Sequence, residues 1–188
     1  MRRIFKKSGE RGVSLVEASM VLPILILLAI GISEIGFLVI DYMTVTNSAR
    51  EGARTGAAAA DYNDTTTMTD ADDLILESVE EAACNLRFGE LEEVTIYLAD
   101  GNGDPVTGSI NHYRNDGLQC GTSANGLTCD NGCPWLPQNR DREPPGFDVL
   151  GVEVIFSHTG VTGLFPFPTV NWTERAIMQI EPDTRGSQ

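Results

Sequence analysis

The sequence has no lysine after Lys7 and only two histidines, His112 and His158. It carries 13 Lys+Arg against 27 Asp+Glu, a net charge of −14. That balance argues against nucleic acid as the main partner, because neutralising phosphates takes clustered Lys and Arg. The GxSxG, HExxH, phosphate-cradling GxxxxGK and dinucleotide-binding GxGxxG patterns are all missing from it. The two histidines lie in separate segments, and the four cysteines have no catalytic signature around them. Nothing points to a nucleophile, a base and an orienting group as a set. No catalytic residue, cofactor or small-molecule substrate is expected, and the chain reads as a non-enzyme. Only 21% of residues are charged and 41% are hydrophobic, which excludes wholesale disorder. A length of 188 residues suits one domain with an appendage.

The charge is distributed unevenly. Residues 1–12 hold Arg2, Arg3, Lys6, Lys7 and Arg11 against the single acid Glu10, so residues 13–188 carry a net of −18. From Val13 to Ile40 only Glu17 and Glu34 are charged, and Ala18 to Ser33 is uncharged. About 20 mainly apolar residues in a helix span a bilayer's hydrocarbon core, so residues 13–40 are expected to be a transmembrane helix. The basic residues before it should stay in the cytoplasm, placing the acidic body outside. Three readings of the terminus stand side by side. One is a simple anchor. The second is a secretory signal peptide with Ala29-Ile30-Gly31 as a loose cleavage site. The third takes residues 1–12 as a prepilin-type leader cut after Gly12. Only the third accounts for Glu17, the fifth residue past that Gly, because a carboxylate inside an apolar span costs roughly 2.5–3.5 kcal/mol. Cleavage would free an amine on Val13 that could pair with such a carboxylate in the same or a neighbouring subunit.

Gly12-Val13-Ser14-Leu15-Val16-Glu17, then Val21-Leu22-Pro23-Ile24-Leu25-Ile26-Leu27-Leu28, then Asn47-Ser48-Ala49-Arg50-Glu51-Gly52-Ala53-Arg54 stand in that order. The set resembles the TadE-like proteins of tight-adherence (Flp-type) pilus systems. One departure is Ala18, where the family usually has an aromatic. The resemblance implies a pseudopilin-like minor pilin or assembly component of the bacterial inner membrane. It implies a single-pass protein with the N-terminus in the cytoplasm, processed by prepilin peptidase after Gly12. Gly12, Val13 and Glu17 would be the processing site, and the expected partners are the membrane, that peptidase and other pilin or platform subunits. The alternative is a membrane-anchored extracellular adhesion module that never enters a filament.

The helix is expected to continue over residues 41–60. Ser48, Gly52, Gly56 and Ala60 recur every four residues, as do Ala49, Ala53 and Ala57, a surface that lets another element approach closely. Its occupant is either the chain's own sheet or a partner subunit, and with Glu17 these four positions are candidate subunit contacts. Glu34 is expected near the outer interface, with Asp41 on the same side. Pro23 frees a carbonyl and is a candidate kink.

Residues 61–188 read as an exported acidic domain, giving an α+β architecture overall. Residues 61–69 form a polar linker. Thr69 with Asp72 suggests a helix start, and helical spacing runs to about residue 86, with Asp70, Asp72, Asp73, Glu77, Glu80 and Glu81 on the solvated side. Strands are expected at Val94–Leu98, at Leu150–Phe156 and over residues 172–181, in a small antiparallel sheet. The loop from 100 to 147 is rich in Gly, Pro and Asn, without a clear period. With Cys84 it contains Cys120, Cys129 and Cys133, an even count that favours disulfides. Sequence leaves all three connectivities open. A four-thiolate zinc site is the weaker alternative, since the paired CxxC spacing is missing. Asp100-Gly101-Asn102-Gly103-Asp104 resembles the start of a calcium loop, but Asn111 stands where the twelfth-position acid belongs, and a hairpin turn is the plainer reading. The apolar loop 160–168, with Leu164, Phe165 and Phe167, is a candidate contact patch for a neighbour or the membrane surface.

Overall fold

The computed structural model describes residues 10–59, 63–64, 69–117, 126–143, 146–162 and 169–182. Ala60, Cys120, Leu164, Phe165 and Phe167 lie outside the described residues. The architecture is α+β, with a long apolar N-terminal helix, a second helix and a five-stranded antiparallel sheet.

Helix α1 (Glu10–Ala59) is a single element of 50 residues that runs through Pro23 without a break. At 1.5 Å per residue it is about 75 Å long, and its N-terminal part extends beyond the body it joins. Two short strands, β1 (Asn63–Asp64) and β2 (Thr69–Asp70), pair antiparallel where a plain linker was expected. Helix α2 (Ala71–Ala83) starts one residue later than the Thr69 reading requires. Asp70 is the cap. Its carboxylate accepts from the Asp72 and Asp73 amides, while the Asp73 carboxylate accepts from the Asp70 amide, a reciprocal capping box. The helix ends at Ala83 rather than near 86 because Cys84 forms its cap and the chain then turns into the sheet.

The sheet comprises β3 (Gly89–Ala99), β4 (Pro105–Asn115), β5 (Leu127–Cys129), β6 (Val149–His158) and β7 (Val170–Gln179), in the order β5-β4-β3-β6-β7. The expected strands at Val94–Leu98 and Leu150–Phe156 are the cores of β3 and β6, and the one over 172–181 is β7 displaced by two residues. Strands β4 and β5 were hidden in the stretch without a period. The inward face of β4 carries Asn111 and Tyr113 rather than aliphatics, so its alternation is not apolar-in, polar-out. Pro105 opens β4, a position where no ladder donor is needed.

Both helices lie on one face of the sheet, over Val94, Ile96, Leu150, Val152, Val154 and Phe156, all fully buried. The registers Ile96↔Val152 and Val152↔Ala176 align these side chains across three strands. On the other face Tyr97 lies flat over Gly151, where any β-carbon would collide with its ring. Arg175 pairs there with Glu153.

Candidate membrane-proximal site

From Gly12 to Ser33 helix α1 is exposed, apart from half-buried Ile30 and Gly31. The helix is long and apolar enough to cross a membrane, with a best window of mean hydropathy 2.5. It fits a single-pass membrane protein. Gly12 and Val13 lie inside this helix, whose first residue is Glu10. Glu17 projects from the bare part, and among the described residues nothing pairs with its carboxylate.

The folded body begins at Glu34, 6% exposed and the first buried residue of α1 after Gly12. Its carboxylate accepts from the amides of Val161 (2.9 Å) and Thr162 (2.7 Å) and from the Thr162 hydroxyl (2.6 Å). Asp41, on the same helix face two turns further on, is 0% exposed. It accepts from the amides of Arg87 (3.0 Å) and Phe88 (3.3 Å), and its Oδ2 lies 2.9 Å from His158 Nδ1. A carboxylate with three donors loses little on leaving water, which is how two acids can sit in the seam between helix and domain. Phe37 packs on Phe88 at 5.0 Å between ring centroids, and Tyr42 meets Trp172 edge-on at 5.7 Å. The α2–β3 and β6–β7 loops are therefore pinned to α1 at the level where its bare part ends.

Beyond Asp41 the small-residue face is occupied by the chain itself. Ser48, Gly52 and Gly56 are buried, together with Ala49, Ala53 and Ala57. A β-carbon on Gly52 would meet Val79 at 3.0 Å, and one on Gly56 would meet Leu150 at 2.5 Å and Ile75 at 2.6 Å. The subunit-contact reading of Gly52 and Gly56 is corrected accordingly: α2 and β6 of the same chain fill the space those residues open, and Ser48 is buried on the same face. Glu17 alone, of the described candidate contacts, faces outward.

A second polar centre was missed. Asp72 was placed among the solvated acids of α2, but it is 3% exposed. It pairs with Arg140, accepts from Asn111 Nδ2 (2.8 Å) and accepts from the Tyr113 hydroxyl (2.7 Å). Burial, then the Asp72 charge, push the Tyr113 hydroxyl well above its ordinary range. Asn111 also exchanges hydrogen bonds with the Trp135 backbone at 2.8 and 2.9 Å, and the Arg140 guanidinium lies 4.5 Å over the Trp135 ring. This cluster ties the 127–140 segment to α2 and β4. The available signal was the lone Asn–His–Tyr run at 111–113, a polar-in strand that requires buried partners.

Cys129 and Cys133 are bridged with a Cα–Cα distance of 6.1 Å, and Cys84 is disulfide-bonded as well. Asp100 Oδ1 accepts from the amides of Asn102 (2.8 Å) and Asp104 (3.0 Å), closing a hairpin turn. Those backbone hydrogen bonds hold its carboxyl below the usual carboxylate range. Glu93, Thr95 and His112 cluster on the outer sheet face, but the acid and the hydroxyl both address His112 Nδ1. A relay would need them on opposite ring nitrogens.

A long apolar N-terminal helix, joined to a small disulfide-bonded α+β body, fits the single-pass class of membrane proteins. Within that class, the family model described as TadE-like protein matches residues 12–54, which covers the bare helix and most of the face packed on the domain. The TadE-like resemblance is thereby shown, and it suggests a component related to tight-adherence pili. No curated protein and no solved structure matches the chain.

Proposed function

We propose that the chain is a non-catalytic minor pilin or assembly component of a tight-adherence pilus, cut by prepilin peptidase after Gly12. The observation that carries this reading is the division of labour along α1. The face from Glu34 to Ala57 is consumed by the chain's own domain, whereas Val13 to Ser33 is bare and contains one unpaired acid, Glu17. Val13–Ser33 is 21 residues. At 1.5 Å each it measures about 31 Å, the thickness of a hydrocarbon core. The membrane segment on this reading ends at Ser33, shorter than the 13–40 span. The basic residues stay in the cytoplasm, the acidic domain lies outside the inner membrane, and Glu17 pairs with the Val13 amine of a neighbouring subunit.

Intact-mass measurement of protein purified from its host tests the processing step. Loss of residues 1–12 is the expected result, and a full-length chain would favour the anchored adhesion module. Glu17→Ala is expected to insert normally and abolish or strongly reduce piliation; unchanged piliation removes the role assigned to Glu17.

A further inference from the structure

Arg54, Arg114, Arg140 and Arg175 pair with acids of the domain, and Arg142 donates to the Glu181 carbonyl. Arg50 and Arg87 are exposed and make no ion pair among the described residues. On the membrane-spanning reading above, they stand at different heights. Arg50 is 17 residues past Ser33, about 26 Å along α1. Helix α2 runs back toward the membrane end, since Ile75 faces Gly56 and Val79 faces Gly52. The α2–β3 loop is therefore the foot of the domain, and Arg87 is in it. Its amide donates to Asp41 at 3.0 Å, and the neighbouring Phe88 ring packs on Phe37 at 5.0 Å. Phe37 and Asp41 are four and eight residues past Ser33, about 6 and 12 Å. The headgroup layer outside a hydrocarbon core is itself about 5–8 Å thick. A long cationic side chain can lay its stem on apolar surface and put its head in that layer.

The other ionisable groups at this level are occupied. Glu34 and Asp41 are buried and hold loop amides, and His158 faces Asp41. The nearest exposed acid along the chain is Glu90, on β3, which rises away from the foot. Residues 13–188 carry a net of −18. Among the described residues, Arg87 is thus the place at the foot where an acidic domain offers the charge that a phosphate attracts. Exposed Thr159 lies beside it, its amide donating to the Phe88 carbonyl at 3.1 Å.

We propose that Arg87 binds a phospholipid phosphate of the leaflet on the domain side and so docks the α2–β3 loop on the bilayer surface. The proposal rests on the membrane-spanning reading. The contact fixes the foot of the domain against the headgroups, while the distal acids stay in water, away from anionic lipid.

The full chain, carrying a fluorophore on Thr159→Cys, is reconstituted into vesicles of phosphatidylethanolamine and phosphatidylglycerol that include a headgroup-nitroxide lipid. Flotation reads insertion, and quenching by the nitroxide reads docking. The parent chain, with Arg87 intact, is expected to float and to be strongly quenched. The same fluorophore on Asn102→Cys, beyond the 11 residues of β3 and about 36 Å of strand further up, should not be quenched. Arg87→Gln should lower the docked fraction about fivefold, and Arg87→Lys, which keeps the charge, should retain most of it. Thermal midpoints in detergent should be unchanged in both, because the side chain is exposed. A floating parent chain without quenching at position 159, or undiminished quenching in Arg87→Gln, overturns the docking proposal alone. Equal loss in both variants together with a lowered midpoint overturns it too, by making Arg87 a packing residue. A parent chain that does not float overturns the membrane reading and this proposal with it.

Discussion

Replacing Asp72 by alanine takes one charged partner from the buried Arg140 guanidinium and removes an acceptor for Tyr113 and Asn111. Breaking one side of such a pair costs about 3–5 kcal/mol. At about 2–4 °C per kcal/mol for a chain of this size, the thermal midpoint in detergent should fall by roughly 10 °C. A fall under a few degrees would show that water reaches the cluster. Tyr113 makes a second prediction at this scale. Its folded-state value is raised, by burial first and Asp72 second, so its contribution is complete below the ordinary tyrosine value near 10 and is lost as pH climbs through it. Stability should therefore decline above about pH 10, more steeply in wild type than in Tyr113→Phe. Tyr97, also raised by burial, leaves a residual slope in the variant.

Between elements, the close approach of α1 to α2 and β6 depends on two missing side chains. Helix propensity alone favours alanine over glycine by up to ~1 kcal/mol. At Gly56 that gain meets Leu150 and Ile75, whose methyls stand 2.5 and 2.6 Å from the new carbon. Overpacking of this kind costs about 1–3 kcal/mol, so Gly56→Ala should destabilise and Gly56→Leu should do so more severely. Gly36, with nothing near its β-carbon position, is the control: Gly36→Ala should be neutral or stabilising in the same melts. The Cys129–Cys133 bridge closes only a short loop. Its replacement by a serine pair is expected to cost roughly 2 kcal/mol on the loop-entropy relation.

For the whole molecule, the proposed membrane segment and the face packed on the domain occupy different parts of one helix, so insertion and folding should be separable. Asp41 holds the α2–β3 loop and faces His158 at the end of β6, so Asp41→Ala leaves amides and an imidazole buried without this acceptor. The variant should still float with vesicles, since Val13–Ser33 is intact, while its α+β domain becomes far more sensitive to protease than wild type. Loss of flotation would mean that the domain helps hold the helix in the bilayer.

Composition and periodicity were enough to read the bare helix, its basic flank, α2 and strands β3, β6 and β7, because each is a local pattern repeated over many residues; the TadE-like motifs were legible by resemblance. The Glu34 and Asp41 anchors and the buried Asp72 were not legible. An acid's burial depends on donors from residues 39 to 128 positions away, and no local pattern encodes them. The same holds for the small-residue face. Sequence showed that something packs closely on Ser48, Gly52 and Gly56. Only the tertiary arrangement decided that the occupant is this chain's own α2 and β6, because close packing depends on which surfaces meet, and the local spacing is identical for an internal and an external partner.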